Sequence, residues 1–164
     1  MPTFQEHIDQ HIHNLDFLSA ISIGVGNSLD WQVTVIFYSA LHLVNAHLAL
    51  SGHHFRNHQD VDLLISPEGR IRDCRVDPEI YTAYRKLRSL SRISRYLINA
   101  ETRTEPPNDI SRIQQRHLAR ALKQLDKIIG WFIAKPRFSS KKVSVKCTDF
   151  SVNEKLMNLD LRWD

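Results

Sequence analysis

At 164 residues, with 42% hydrophobic and 24% charged side chains, the chain is long enough for one self-supporting domain around a single core. Its two cysteines, Cys74 and Cys147, stand far apart and in no CxxC arrangement; this excludes a disulfide-stapled scaffold and a thiolate metal centre, and fits a reducing compartment such as the cytoplasm. The formal charge of +4 conceals a division: residues 1–69 hold one base against seven acids, residues 70–103 nine against four, and residues 104–164 twelve against seven. An acidic front and a basic back can steer a polyanion toward one face, or bring unlike halves of two subunits together.

The N-terminus has no cationic start and no continuous apolar run, so it does not read as a signal peptide. A first helix is expected from near Thr3, where Thr3 and Glu6 have capping-box spacing. Its apolar face runs through Phe4, Ile8, His11 or Ile12, Leu15, Leu18 and Ile21 or Ser22, and it stops near Gly24. Ser28 is a fresh N-cap, with Asp30 in the first turn where a negative charge suits the helix dipole.

The central helix, Trp31 to Leu50, is apolar on nearly every side, which requires partners all round. Its length raises the question of a membrane span. Gln32, His42, Asn45 and His47, with no flanking Lys or Arg, argue for a core helix instead. Trp31, Tyr38, His42 and Asn45 recur at spacings of 7, 4 and 3 and share a seam, which is either a satisfied polar contact between helices or the lining of a site. Ser51–Gly52 ends the helix.

His53, His54 and His58 follow. His54 and His58 stand four apart, but without a placed carboxylate the pair does not argue for a metal, and no cofactor is expected. A short helix from Asn57 to Ile65 ends at Ser66, ahead of Pro67 and Gly69, and IRDCRVD is a polar connection. Asp77–Pro78 opens the third long helix, which is expected to run to Ala100. Ile80, Tyr84, Leu87, Ser91 with Leu90, and Ser94 trace its inward stripe. Arg85, Arg88, Arg92 and Arg95 form a basic ridge, either a solvated face or a set of phosphate contacts, because like charges in a row oppose one another unless an anion is near.

Residues 101–109, with two prolines and no apolar side chain, form a linker. Asp109 can cap a fourth long helix over 110–135, whose stripe of Ile110, Ile113, Leu118, Ala121, Leu125, Ile128 and Phe132 is the cleanest period in the chain. After Pro136 the pattern alternates at Val143, Val145 and Cys147 like a short strand and then fades. The expected fold is all-α: an up-and-down four-helix bundle over residues 1–135 with one short extra helix, and a C-terminal tail or arm, irregular or short-strand, over 136–164.

The string DWQVTVIFYSALHLVNAHLALSG, then His58, then YRKLRSLSRISRY resembles small bacterial helical proteins of the HEPN superfamily over about residues 28–134. The resemblance implies a four-helix bundle, usually dimeric, and in many members a metal-independent endoribonuclease of toxin–antitoxin, antiphage or CRISPR systems. Others in the family have lost the chemistry and act as binding modules. The family's signature is an arginine followed, after four to six residues, by a histidine near the start of the last long helix; Arg112 and His117 stand at that position. Ile113 departs from the pattern, because the family often has a polar residue there.

Three functions follow as expectations. In the first, a homodimer cleaves RNA with Arg112 and His117. In the second, a non-catalytic adaptor binds RNA, an antitoxin or another protein through the ridge of Arg85, Arg88, Arg92 and Arg95. In the third, Tyr38, His42 and His58 with Arg95 and Tyr96 enclose a nucleotide or small anion.

Overall fold

Thr3 begins the first helix as its spacing predicts. Its hydroxyl accepts from the Glu6 N–H at 3.2 Å, and the Glu6 carboxylate accepts from the Thr3 N–H at 2.6 Å, so two orphan donors are satisfied reciprocally. The resulting helix, α1 (Phe4–Gly24), buries His7, Ile8, His11, Leu15, Leu18 and Ser22. Where the sequence offered His11 or Ile12, and Ile21 or Ser22, the polar member of each pair is the more buried.

The computed structural model describes residues 1–26, 28–54, 57–96, 107–151 and 153–162; the side chains of residues 96 and 107–110 are outside that description. Five helices and two short strands are found among the described residues. α2 (Leu29–Leu50) packs against α1, α4 (Pro78–Tyr96) and α5 (Pro107–Ile133), with the short α3 (His58–Ile65) preceding α4. The fold is the expected all-α bundle with a short-strand tail. By length and composition α2 is long and apolar enough to cross a membrane, and 67% of its most apolar window is buried within the bundle. Neighbouring helices therefore supply the partners that an all-round apolar surface requires.

Successive long helices run antiparallel. Between α1 and α2, His7 meets His42 and His11 meets Ser39. Between α4 and α5, the Trp131 indole donates to Asp77 at 2.6 Å and Lys127 faces Glu79 at 3.7 Å. Asp77 precedes α4 as predicted, and its backbone carbonyl accepts from the Ile80 and Tyr81 N–H groups.

Three local expectations differ. Trp31 is 61% exposed, because it lies in the first turn of α2 rather than along the packed middle. α5 starts at Pro107, before the expected Asp109 cap, and proline suits the first helical turn, where its missing N–H has no partner to lose. The polar connection after Gly69 contains a 3-10 turn, Arg72–Cys74, that buries Cys74 and Val76. The extension of α4 to Ala100 and the linker up to residue 106 lie outside the described residues.

Past α5 the chain folds back over the bundle. β1 (Ser144–Lys146) pairs in parallel with β2 (Asp160–Arg162), Val145 opposite Leu161. Ser19 on α1 donates to the Ser144 carbonyl at 2.8 Å, and the Ser22 hydroxyl accepts from the Lys146 N–H at 2.8 Å. Phe138, Val143, Val145, Cys147, Phe150 and Leu159 are buried in the same core as the helices. Gly130, inside α5, permits close approach: a Cβ there would stand 3.3 Å from the Asn158 amide, whose nitrogen donates to the Asp126 carbonyl at 3.0 Å. That contact accounts for a glycine where alanine would be intrinsically better by about 1 kcal/mol.

Candidate functional site

The basic ridge predicted on α4 faces α3. Asn57 caps α3, accepting from the Asp60 N–H at 2.8 Å, and this sets His58 and Asp62, four residues apart, on one face. On α4, Tyr84, Arg88, Ser91 and Arg95 follow at i, i+4, i+7 and i+11, within an arc of about 60°, with Arg85 and Arg92 on its solvent side. The Arg88 guanidinium is ion-paired with Asp62 and also donates to the His58 carbonyl at 3.5 Å. The Arg95 Nε donates to the Ser91 carbonyl at 3.3 Å. Phe37 of α2 lies behind both helices, its ring 5.5 Å from His58 and 5.9 Å from Tyr84.

Two adjoining cavities open along this groove. One, of about 390 Å³, is lined by Phe37, His58, Gln59, Arg88, Arg92 and Arg95. The other, of about 400 Å³, is lined by Asp62, Arg85, Arg88, Ser89, Arg92 and Ile93. Arg88 and Arg92 line both. Burial first, then Arg88 and Arg95, lower the His58 pKa below the usual imidazole value against an opposing pull from Asp62, so its ring is neutral at pH 7 and offers one N–H. Burial raises the Tyr84 phenol, with Asp62 adding and Arg88 opposing.

Three buried polar atoms in this region have no hydrogen-bond partner: the Tyr84 hydroxyl, the Ser91 hydroxyl and one carboxylate oxygen of Asp62. Tyr84 and Ser91 are both 0% exposed. An unmade hydrogen bond on a buried group costs roughly 1–3 kcal/mol.

All four ridge arginines and His58 therefore meet at one groove, while the other predicted residues are dispersed. The Tyr38 ring lies 5.6 Å from Phe37 but lines neither cavity. His42 turns away toward α1, its Nδ1 3.1 Å from the Nδ1 of His7. The Tyr96 side chain lies outside the described residues. On α5, Arg112 is exposed and His117 half-buried. Continuing the α4–α5 register set by Asp77–Trp131 and Glu79–Lys127 brings His117 level with Ser89–Ser91, and Arg112 level with Ser94 and Arg95. Neither Arg112 nor His117 lines either cavity.

A second polar cluster lies between α1 and α2, where the sequence marked His11 and His42 singly but not their meeting. His11, 0% exposed, holds its Nδ1 3.1 Å from the Ser39 carbonyl and its Nε2 2.8 Å from the Ser140 hydroxyl. The Ser39 hydroxyl also lies 2.8 Å from Nδ1, so both ring nitrogens of His11 are hydrogen-bonded. Burial lowers the pKa of His11 to about 4, and burial together with His7 lowers that of His42 to about 4. Among the described residues no group of three or more His, Cys, Asp or Glu is arranged to hold a metal ion.

No protein-family model matches the chain, and neither a curated protein nor a solved structure matches it significantly.

Proposed function

We propose that this protein is a HEPN-like bundle that binds RNA along the α3–α4 groove and, as a homodimer in the cytoplasm, cleaves it without a metal ion. The convergence of Arg85, Arg88, Arg92 and Arg95 on two adjoining cavities supports the RNA-binding part of this reading. Guanidinium groups pair with phosphate oxygens bidentately, and Asp62 pairs with Arg88 at the edge of the ridge.

RNA brings its own nucleophile. A neutral His117 takes the proton of a 2′-hydroxyl, whose oxygen attacks the adjacent phosphorus, and Arg112 stabilises the phosphorane. The imidazolium of the second subunit protonates the departing 5′-oxygen, leaving a 2′,3′-cyclic phosphate and a 5′-hydroxyl. Residues five apart on a helix point about 140° from one another, which favours a site shared between subunits over one built within a single helix.

Ile113, an apolar residue directly after Arg112, favours a second reading in which the same groove binds RNA or a partner such as an antitoxin without cleaving. Incubation of the purified protein with RNA in a chelator separates the two. Cleavage that persists in His42→Ala and is lost in His117→Ala supports the nuclease; binding without cleavage by the wild type leaves the adaptor.

A further inference from the structure

Two aromatic side chains of α2, Trp31 and Tyr38, stand outside the cavities of the groove. Trp31 is 61% exposed. Trp131, by contrast, donates its N–H to Asp77, packs edge-on against Phe132 with ring centroids 4.8 Å apart, and carries Lys135 over its face. Tyr38 is half-buried on the same side of α2 as Trp31, within about 20° of it and about 10 Å along the axis. A single exposed aromatic needs no explanation. Two in line on one helix, beside a cluster of guanidinium groups, do.

Ring contacts fix where the two stand relative to the groove. Phe37, the chain neighbour of Tyr38, lines the cavity that holds His58, Arg88, Arg92 and Arg95, and the Phe37 and Tyr38 rings lie 5.6 Å apart. Tyr38 is therefore the shoulder of that cavity on the α2 side. Phe37 meets Tyr84 of α4, while His47, further along α2, meets Trp131, which is bonded to Asp77 at the start of α4. The two helices thus run antiparallel, and Trp31 lies toward the Arg92 and Arg95 end of α4. Asp30 is the acid beside Trp31 in sequence, and it sits in the first turn of α2, where the helix dipole offsets its charge.

Guanidinium groups bind phosphates whether or not the attached bases are paired, whereas an exposed aromatic face tells the two apart. Bases in a duplex already stack on one another, and only unpaired ones can splay onto a side chain. Every base has a π-face, so such stacking tolerates any sequence. The neighbouring arginines call for a polyanion, and the rings call for planar groups attached to it. We propose that Trp31 and Tyr38 form a stacking platform for the unpaired bases of an RNA strand whose phosphates lie on Arg88, Arg92 and Arg95. This rests on the reading that the groove takes RNA, and it adds that the RNA is held as a single strand.

The test follows binding to the whole protein by fluorescence anisotropy with three probes: a non-cleavable 2′-O-methyl oligoadenylate, a base-free strand of the same length, and the oligoadenylate annealed to its complement. The oligoadenylate is expected to bind about tenfold more tightly than the base-free strand, the scale of one base stacked on an aromatic side chain. In Trp31→Ala that advantage is lost, while duplex affinity and the melting temperature match the wild type. Trp31→Phe, which restores a ring, recovers most of the advantage, and Tyr38→Leu, which keeps the packing against Phe37, costs less than Trp31→Ala. Equal affinity of the wild type for the base-bearing and base-free strands overturns the platform while RNA binding stands. An advantage that survives Trp31→Ala does the same, and if that variant also sediments as a smaller species than the wild type, the stripe belongs to a contact between subunits. Failure of the wild type to bind any of the three probes overturns the RNA reading, and the platform with it.

Discussion

Two buried polar clusters flank α2, and they are finished to different degrees. On the α1 side, His11 has a partner on each ring nitrogen, Ser39 is hydrogen-bonded, and His7 and His42 bond to each other. On the α4 side Tyr84 and Ser91 are as deeply buried, yet their hydroxyls have no hydrogen-bond partner within the protein. Burial of polar groups is common to both; incomplete hydrogen bonding distinguishes the second. A satisfied cluster stabilises and specifies the fold, whereas an unsatisfied one is a cost that the surrounding packing must outweigh.

Substitutions should separate the two sides. The largest effect is expected for His11→Ala, which strands Ser39 and Ser140 and opens a cavity. Urea denaturation should register a loss of about 2–4 kcal/mol with an unchanged m-value, and a loss under 1 kcal/mol would mean that the contacts made by His11 are incidental.

Acid should act next, and on the same side. His11 titrates near the ordinary 6.5 when unfolded and at about 4 when folded, so between those values the unfolded chain binds more protons. Its contribution is complete above pH 6.5, falls as pH drops, and is gone below about pH 4. Between pH 7 and pH 5 this single group removes about 2 kcal/mol, and the urea midpoint of His11→Gln should move less over that interval than that of the wild type.

On the α4 side, Arg92→Ala is expected to weaken RNA binding about threefold to tenfold and to lower the salt slope by roughly one phosphate contact. Its chemical-denaturation curve should overlay that of the wild type. The smallest change belongs to Ser91→Ala, whose stability without ligand should stay within about 0.5 kcal/mol of the wild type because no hydrogen bond is lost. A drop comparable to that of His11→Ala would erase the contrast.

Features set by neighbouring residues were legible in the sequence: the Thr3–Glu6 box, the Asp77–Pro78 opening, the stop near Gly24 and the arginine ridge at helical spacing all depend on local geometry. Features that depend on docking were not. Periodicity set His42 on a seam with Tyr38 and Asn45 but could not say which neighbouring helix that seam would face, so its turn toward His7 was not legible. The partnership of Arg88 with Asp62 required α3 to lie against α4; the spacing of His58 and Asp62, four residues apart, was the only trace of it. Tyr84 and Ser91 were assigned inward, but periodicity does not tell a bonded hydroxyl from an orphaned one. The parallel pairing of β1 with β2 was invisible because parallel strands are joined by a long crossover rather than a turn.

The Ser140–His11 contact closes 129 residues of chain, among the longest loops in the molecule. Loop-closure entropy disfavours forming it early. The helices are therefore expected to condense first, with the His11 imidazole lacking one of its partners, and the carboxyl-terminal segment to dock last. Refolding rates followed by the tryptophans of the bundle should accordingly run ahead of hydrogen-exchange protection at Lys146, and a destabilised tail should accelerate unfolding far more than it slows folding.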